Sequence, residues 1–425
     1  MTAICLASST TSVAPCSAQS AAAVTQALTA QGNPLFDDCQ SALLPSARET
    51  YADLMEHMAQ AEHYIHLEYF IFRRDSIGNA LLHLLHQKAS EGVDVRLLID
   101  AYGNRKSPLP IRSAQLDSIR SLGIKVALFD PIRFPWIPNT LSRDHRKIAV
   151  VDGRWAWTGG INIADYYLHG TARTGTWRDL QVRLSGSVAR EFERIFARIW
   201  QKTTGDPSWP PLKGEEKASP FKGEVGEGLF NSQLSTFNFQ LYKESVVLVN
   251  REPGKQSKKM RRAYRAAFDS ARHEVMIVNP YPTLVPSVRR AMRRALRRGV
   301  RMRIMVSSRS DNRITPELVA LEMLGMAKRG ADVLYYDEGF HHTKVITVDD
   351  SLALLGTTNL DARSLRFDYE LTVALRSPRL VDELQAIYRD DSVHSHPLTR
   401  DNYRRLFPLR KRMLARILRS LRGLL

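Results

Sequence analysis

The chain has 425 residues, of which 44% are apolar and 25% are charged, and this balance excludes a protein that is disordered throughout. Its formal net charge of +17 predicts attraction to polyanions, namely nucleic acid, an anionic membrane leaflet or a phosphorylated substrate, with a merely soluble basic surface as the alternative. The three cysteines, Cys5, Cys16 and Cys39, all lie near the N-terminus. This position excludes a disulfide framework or a cysteine-bound zinc in the body of the chain and favours a reducing compartment.

Residues 1–40 are rich in Ala, Ser, Thr and Gln and are expected to form a loose leader. They lack the charged segment of a secretory signal, because no Lys or Arg precedes Arg48. No apolar run in the chain approaches the roughly 18–20 residues that a membrane span requires. Any membrane contact is therefore expected to be peripheral.

Two long stretches, residues 41–202 and 236–400, follow the same order of predicted elements. Each has a strand, a helix that ends at Gly-Val, a second strand, a helix, a third strand, and then a strand preceded by a histidine. Such alternation is typical of βαβ units, so each stretch predicts an α/β domain with a largely parallel sheet covered by helices. The matching histidines, His145 and His342, are 342 − 145 = 197 residues apart, a period too long for a solenoid repeat.

The segments outside the two domains differ in composition. Residues 203–235 are rich in Pro, Gly, Lys and Glu and are expected to form a linker. Residues 401–425 predict a basic amphipathic helix, with apolar residues at helical spacing on one side and arginines largely on the other. Arg412, Arg416 and Arg419 suit contact with an anionic membrane, although a helix docked on the protein is an equal alternative.

One short motif occurs in both domains with the same spacing. The first copy contains His145, Lys147, Asp152 and Asn162, and the second contains His342, Lys344, Asp349 and Asn359. Side chains alternate between the faces of a strand, so each histidine points the same way as the lysine two positions later. A Gly-rich return then brings the asparagine back near the histidine. For one copy a structural histidine is an even alternative, but two copies in equivalent positions favour a composite site.

The paired motifs suit phosphoryl transfer without a metal or other cofactor. One neutral imidazole can attack phosphorus while a second, protonated imidazole gives its proton to the leaving oxygen. The lysines and asparagines would neutralise charge on the non-bridging oxygens. Each imidazole needs a partner that holds its tautomer, and we predict Asp179 and Glu370, which follow their histidines in strand-like runs. Asp152 and Asp349 are expected to fix the turns rather than to take part in the chemistry.

The segments HRKIAVVDGRWAWTGGIN and HTKVITVDDSLALLGTTN resemble the paired HKD motifs of the phospholipase D superfamily. Within it, YIHLEYFIFRRDSIGNALL and NLDARSLRFDYELTVAL are similar to bacterial cardiolipin synthases of the type that lacks N-terminal membrane spans. The resemblance implies two pseudo-twofold-related α/β/α domains, with mixed, largely parallel sheets, that share one active site. Carried over position by position, the catalytic set is His145, Lys147, Asn162, His342, Lys344 and Asn359, and the motif aspartates Asp152 and Asp349 stay in the candidate set.

The resemblance also implies a phosphatidyl-histidine intermediate, and it favours His145 as the nucleophile. A second phosphatidylglycerol, rather than water, would then take the phosphatidyl group while glycerol leaves. Because the superfamily contains other activities, three alternatives stay open. These are a lipase that releases phosphatidic acid, a metal-independent nuclease, and a catalytically idle protein that binds anionic surfaces.

The segment PIRFPWIPN, just before the first motif, favours lipid over nucleic acid. Its Phe134 and Trp136 lie in a Pro-rich stretch and suit insertion among lipid headgroups, with a loop packed on its own domain as the alternative. We therefore expect a peripheral protein on the cytoplasmic face of a bacterial inner membrane, with phosphatidylglycerol as its partner and no nucleic acid. The oligomeric state, and whether phosphatidylethanolamine also serves as donor, stay open.

Overall fold

The structure is a computed structural model that describes residues 16–105, 113–131, 142–206, 244–254, 258–312 and 315–421. Within these ranges, none of the helices is both long enough and apolar enough to cross a lipid bilayer. The predicted linker begins inside a helix that continues to Thr204, and most of its length lies outside the described residues.

The first half of the chain supplies six helices and eight strands to the described structure. In chain order they are α1 (Cys16–Thr29), β1 (Leu35–Leu44), α2 (Ala47–Ala59), β2 (Tyr64–Tyr69), α3 (Ser76–Ser90), β3 (Asp94–Asp100), α4 (Ser113–Arg120), β4 (Lys125–Phe129), β5 (Lys147–Val151), β6 (Trp155–Gly159), α5 (Tyr166–His169), β7 (Thr176–Arg178), β8 (Gln181–Ser185) and α6 (Ser187–Thr204). Local chemistry sets some of these limits. For example, α2 begins after Ser46, whose hydroxyl oxygen accepts a hydrogen bond from the backbone N–H of Glu49 at 3.2 Å.

The second half repeats this order. Its described elements are β9 (Glu244–Arg251), α7 (Lys259–Ser270), β10 (Glu274–Val278), α8 (Pro286–Arg297), β11 (Arg301–Ser307), α9 (Thr315–Ala327), β12 (Asp332–Tyr336), β13 (Gly339–His341), β14 (Val345–Val348), β15 (Leu352–Gly356), α10 (Ala362–Arg366), β16 (Glu370–Arg376), α11 (Pro378–Val393), β17 (Ser395–Pro397), α12 (Arg400–Leu406) and α13 (Leu409–Leu421). The prediction of two similar α/β units is confirmed.

The two halves join in one sheet of fifteen described strands. The strand order is β17-β12-β11-β10-β14-β15-β16-β9-β1-β8-β6-β5-β2-β3-β4. The order of the first half, read outward from β1, matches the order of the second half read outward from β9. Because β1 and β9 pair antiparallel, a pseudo-twofold axis passes between them.

The expectation of largely parallel sheets is wrong in one respect. Among the described strands of the large sheet, four neighbouring pairs are parallel. Ten pairs are antiparallel. Only the strands joined by crossover helices are parallel, since each histidine strand returns through a short turn and must run antiparallel to its neighbour. The sheet is mixed, as predicted, but mostly antiparallel.

Helices cover both faces of the sheet, and one face has a core that both halves share. On the first face, α2, α3 and α4 pack on the strands of the first half, while α1, α7, α8 and α9 pack on those of the second. On the opposite face, α6 and α11 lie over a single apolar cluster with strand residues from both halves. Phe192 of α6 and Leu380 of α11 are buried there. This shared core fixes the halves relative to each other and so positions what lies between them.

The described part of the predicted loose leader is ordered, which corrects the expectation for residues 16–40. Ala21, Val24 and Leu28 lie at helical spacing in α1 and are fully buried. They pack against α7 and β9 of the second half, so burial of these apolar side chains holds the segment in place. The C-terminal segment also differs from a single helix, because it is divided into α12 and α13 with Pro408 between them.

Candidate active site

The two motif histidines lie a few residues before the strands β5 and β14, and the backbone of the opposite half contacts each of them. The N–H of His145 donates to the carbonyl of Tyr369 at 3.1 Å, and the N–H of His342 donates to the carbonyl of Arg178 at 2.7 Å. Short parallel pairings extend these contacts, one at Asp144 with Tyr369 and one between β7 and β13. Backbone contacts that cross the interface therefore bring the two histidines to one place.

Each histidine ring is held by a carboxylate from the other half of the molecule. Nδ1 of His145 lies 2.9 Å from Oε1 of Glu370, and Nδ1 of His342 lies 2.6 Å from Oδ2 of Asp179. The sequence predicts these two carboxylates, but it places each beside the histidine of its own half. The structure exchanges them, because the segments that lead into β8 and β16 cross to the opposite histidine. With Nδ1 engaged, Nε2 is the ring nitrogen available to a substrate.

Both carboxylates are buried, with side-chain exposures of 1% for Asp179 and 0% for Glu370. Burial raises the pKa of each to about 7, although Lys344 opposes the shift at Asp179 and Lys147 opposes it at Glu370. The hydroxyl of Thr357 donates a hydrogen bond to Glu370, and the backbone N–H of Leu180 donates to Oδ1 of Asp179 at 2.9 Å. These bonds fix the orientation of the carboxylates and, through them, of the imidazoles.

Each motif lysine contacts the backbone of its own histidine, although of these four residues only Lys147 lies within a strand, as the first residue of β5. Nζ of Lys147 donates to the carbonyl of His145 at 2.6 Å, and Nζ of Lys344 donates to the carbonyl of His342. Burial lowers the pKa of Lys147 to about 7 and that of Lys344 to about 8. An anionic phosphate would favour the charged form of both ammonium groups, so binding of an anion and protonation of these lysines are coupled.

Electrostatic interactions also connect the two motifs across the halves. Burial lowers the pKa of both histidines well below the ordinary value, and nearby lysines lower it further. Lys344 acts on His145 in this way, and Lys147 acts on His342, which is also affected by His145. The basic groups of the two motifs are therefore close enough to affect one another across the interface.

The two motif asparagines are both buried but are used differently. Oδ1 of Asn162 accepts the backbone N–H of Ile71 at 3.0 Å, and its Nδ2 donates to the hydroxyl of Tyr167 at 2.8 Å. By contrast, Oδ1 of Asn359 is buried without a hydrogen-bond partner among the described residues. The structure therefore commits Asn162 to supporting contacts and leaves Asn359 with unused hydrogen-bonding capacity.

Asp152 and Asp349 lie at the far ends of the histidine strands, away from the imidazoles. Each occupies the left-handed region, with φ values of 51° and 52°, in the turn that follows its strand. Asp152 accepts the backbone N–H groups of residues 62, 63 and 64 at 2.8–2.9 Å. Asp349 does the same with residues 272, 273 and 274 at 2.8–3.3 Å. This geometry suits the predicted role of both aspartates in the turns, and their place in the candidate catalytic set stays a prediction.

Aromatic rings outside the predicted set of site residues surround His342. Ring centroids of Trp177 and Phe340 lie 5.3 and 5.4 Å from it, and that of Tyr281 lies 6.3 Å away. The hydroxyl of Tyr281 donates a hydrogen bond to the carboxylate of Asp311. Tyr281 and Asp311 lie in the loops that follow the parallel strands β10 and β11. This position is a sequence signal that points to them, because the C-terminal ends of parallel strands carry the functional groups of many α/β proteins.

The predicted membrane-contact residues are only partly within the described structure. Phe134 and Trp136 lie outside the described residues. Arg412 and Arg416 lie on α13, and Arg419 belongs to the same helix, but its side chain is outside the description. The helix packs against α9 through the buried Ala415. Large apolar side chains on α13 are nevertheless exposed, namely Leu409 (61%), Met413 (53%), Leu414 (46%) and Ile417 (60%).

Comparison with known proteins identifies the family. The family model described as "Cardiolipin synthase, PLD-like domain" matches residues 54–200 and 264–391, which include both histidine motifs. The cardiolipin synthase of Geobacillus thermodenitrificans is 31% identical over 394 residues, or 92% of this chain and 74% of that protein. The cardiolipin synthase of Alkalihalophilus pseudofirmus is 30% identical over 393 residues, with 91% and 74% covered.

A solved structure supports the fold. The phosphatidylserine synthase of Haemophilus influenzae superposes with a TM-score of 0.69 at 17% identity, over 95% of this chain and 99% of that one. This likeness concerns the fold alone. The matches confirm the expected resemblance and the expectation of a phosphatidyltransferase enzyme. The chain belongs to the cardiolipin synthase family of phospholipase D-like proteins.

Proposed function

We propose that this protein transfers a phosphatidyl group from one phosphatidylglycerol to another, forming cardiolipin and free glycerol. The observation that carries the proposal is the pair of imidazoles from opposite halves, each held at Nδ1 by a buried carboxylate of the other half. Two such rings suit displacement at one phosphodiester, because one can attack while the other handles the proton. The relatives named cardiolipin synthase support the choice of substrate.

In the first step, Nε2 of His145 attacks the phosphorus of the donor lipid. A P–N bond forms as the P–O bond to glycerol breaks, and His342, as an imidazolium, gives its Nε2 proton to the leaving oxygen. Burial and nearby lysines lower the pKa of His342 in the unliganded protein, but the negative phosphate between the rings favours its charged form. The products of this step are phosphatidyl-His145, glycerol and neutral His342.

In the second step, His342 takes a proton from the primary hydroxyl of a second phosphatidylglycerol. The hydroxyl oxygen attacks phosphorus, the P–N bond breaks, and His145 leaves as a neutral imidazole. The charge on the non-bridging oxygens grows in both transition states. Lys147 and Lys344, buried beside the histidines, stabilise this charge, and Asn359 has hydrogen-bonding capacity for the same purpose.

The proposal places the enzyme on the cytoplasmic face of the inner membrane, with α13 against the lipid. Four exposed apolar side chains of this helix (Leu409, Met413, Leu414 and Ile417) can enter the interface, and the neighbouring Arg412 and Arg416 face anionic headgroups. Lys411 of α13 pairs with Glu317 at 3.0 Å. Glu317 lies in the first turn of α9, which begins at the same edge of the sheet as the histidine site, so docking of α13 would turn this edge toward the membrane.

The test is identification of the products formed from phosphatidylglycerol vesicles in the presence of EDTA. Cardiolipin together with equimolar free glycerol, detected by mass spectrometry and an enzymatic glycerol assay, is the expected result. Phosphatidic acid with glycerol would instead indicate that water is the acceptor. Cleavage of DNA without lipid turnover would overturn the proposal in favour of a nuclease. Protein with His342→Ala, prepared in parallel, controls for contaminating activity.

A further inference from the structure

The loops after β10 and β11 place a hydrogen-bonded tyrosine and aspartate beside His342. The hydroxyl of Tyr281 donates to Oδ1 of Asp311, and the Tyr281 ring lies edge-on to the imidazole of His342, with centroids 6.3 Å apart. The backbone N–H of Tyr281 bonds to Oδ1 of Asn279 at 3.2 Å, and the same oxygen accepts the N–H of Leu360, the neighbour of the motif asparagine. The pair is thus fixed to the active site on its own side.

The equivalent positions beside His145 cannot serve the same purpose. Ile148 and Val345 are equivalent, because each lies three residues after its motif histidine. Glu68 pairs with Ile148 and Val278 pairs with Val345, so Glu68 and Val278 are equivalent as well. Three residues after these lie Ile71 and Tyr281, which are therefore counterparts. By the pairings of β2 with β3 and of β10 with β11, Asn104 is the counterpart of Asp311.

Asn104 is buried and committed to backbone contacts. Its Oδ1 accepts the N–H of Phe72 at 3.0 Å, and its Nδ2 donates to the carbonyls of Phe70 and Asp100 at 3.1 and 3.0 Å. Asp311 is exposed and carries a carboxylate, while Ile71 is apolar. Only the His342 side therefore offers a polar, solvent-reachable pair at this position.

The side of the acid–base histidine is also the side of the headgroup alcohol. In the proposed reaction, glycerol leaves toward His342, and the hydroxyl of the second lipid enters from the same direction. In both cases the alcohol is a glycerol unit with a neighbouring hydroxyl. A carboxylate and a phenol are suitable partners for such hydroxyls, because the carboxylate accepts two hydrogen bonds or more and the phenol both donates and accepts.

We propose that Tyr281 and Asp311 form the subsite that binds the hydroxyls of the glycerol headgroup, both as it leaves and as it enters. This inference rests on the proposed function and adds the group that selects the alcohol. A headgroup without hydroxyls leaves Asp311 without these partners, and a site built to hydrogen-bond a substrate rejects analogues that lack the bonding group.

The experiment is a competition between two donor lipids in the same vesicle. Equimolar phosphatidylglycerol and phosphatidylethanol are mixed, and the ratio of released glycerol to released ethanol is measured at low conversion. Both donors lead to the same phosphatidyl-enzyme, so this ratio reports only the relative kcat/KM of the two leaving groups and does not depend on the fraction of folded protein. The unmodified enzyme is expected to favour glycerol, and Tyr281→Phe and Asp311→Asn are each expected to lower the ratio roughly tenfold or more.

Two matched controls keep the test specific. Tyr102→Phe removes the hydroxyl of a tyrosine on the His145 side. Asp350→Asn removes a carboxylate from an exposed turn. Neither change should alter the ratio of glycerol to ethanol. An unchanged ratio in Tyr281→Phe and Asp311→Asn, even with a reduced total rate, would overturn the subsite. So would an unmodified enzyme without preference between the donors. Failure of the proposed function itself has different signatures: a nuclease would release neither alcohol, and a hydrolase would release both with phosphatidic acid in place of cardiolipin.

Discussion

The two histidine sites of this protein are alike in their chemistry and unlike in their surroundings. Each has an imidazole held by a carboxylate of the other half and a buried lysine on the carbonyl of its own histidine. Around His342, however, lie four aromatic rings within 6.3 Å, those of Tyr167, Trp177, Phe340 and Tyr281, together with Asp311 near the last of them. Beside His145, the ring contact within the described residues is Phe70, at 5.0 Å.

The two halves also differ just after the repeated motifs. Tyr166 and Tyr167 follow the first motif, whereas Arg363 and Ser364 stand at the equivalent positions after the second, 197 residues later, which is also the offset between the histidines. Two equivalent motifs can bind the oxygens of a single phosphate from both sides. The bond that breaks, however, lies on one side of the phosphorus only. The comparison teaches that the two halves repeat the groups that would hold a phosphate, whereas the loops that flank these groups differ between the halves.

The largest expected effect separates the roles of the two histidines. Alanine at either His145 or His342 should reduce turnover of phosphatidylglycerol at least about 10³-fold, since each removes a group that makes or breaks a bond. A donor with a p-nitrophenol leaving group needs no proton, so His342→Ala should retain a burst of nitrophenol in stopped-flow measurements, whereas His145→Ala should not. Near-normal turnover of phosphatidylglycerol in either variant would break the composite site.

A smaller effect tests the exchange of carboxylates between the halves. Glu370→Gln and Asp179→Asn should each slow turnover of phosphatidylglycerol about 10–100-fold, because the tautomer of the attached imidazole is no longer held. With the nitrophenyl donor, Asp179→Asn should recover its burst rate, since it supports His342, whereas Glu370→Gln should stay slow. The opposite pattern would mean that the carboxylates act on the histidines of their own halves. Unchanged far-UV circular dichroism serves as the control for folding.

The lysines should make anion binding depend on pH. Lys147 and Lys344 have pKa values of about 7 and 8 in the unliganded protein, and a bound anion raises both. Affinity for tungstate, a phosphate mimic, is therefore expected to be greatest below pH 7. It should fall by up to about tenfold per pH unit for each lysine as the pH rises through these values. Isothermal titration calorimetry from pH 6 to 9 measures this, and Lys147→Met should show weaker binding and a shallower slope. A flat profile would contradict the coupling.

The smallest effect on catalysis is expected at the far ends of the histidine strands, where the halves are most alike. Asp152→Ala and Asp349→Ala each remove a carboxylate that accepts three backbone N–H groups, at a cost of about 2 kcal/mol in the free energy of unfolding. Chemical denaturation measures this loss. The kcat per folded molecule should change less than about twofold, and a large fall in kcat with unchanged stability would return these residues to the catalytic set.

Several features of the fold and site could be predicted from local patterns. The alternation of strand residues places Lys147 beside His145 and Lys344 beside His342, and the turn role of Asp152 follows from its position after β5. The mostly antiparallel sheet was missed, since strand patterns do not carry direction. The order of α1 was missed because its few apolar residues become meaningful only against α7, a partner more than 200 residues later in the chain.

The amino-acid sequence by itself determined the duplicated histidine motif, the two α/β units and the choice of Asp179 and Glu370 as carboxylates, because spacing and alternation are local properties of a chain. Only the tertiary structure decided which carboxylate holds which histidine, that β1 and β9 join both halves in one sheet, and that Tyr281 and Asp311 stand beside His342 alone. The physical reason is that these contacts cross the pseudo-twofold interface or join separate loops. Their partners are set by how buried surfaces pack together, which no single segment of the chain contains.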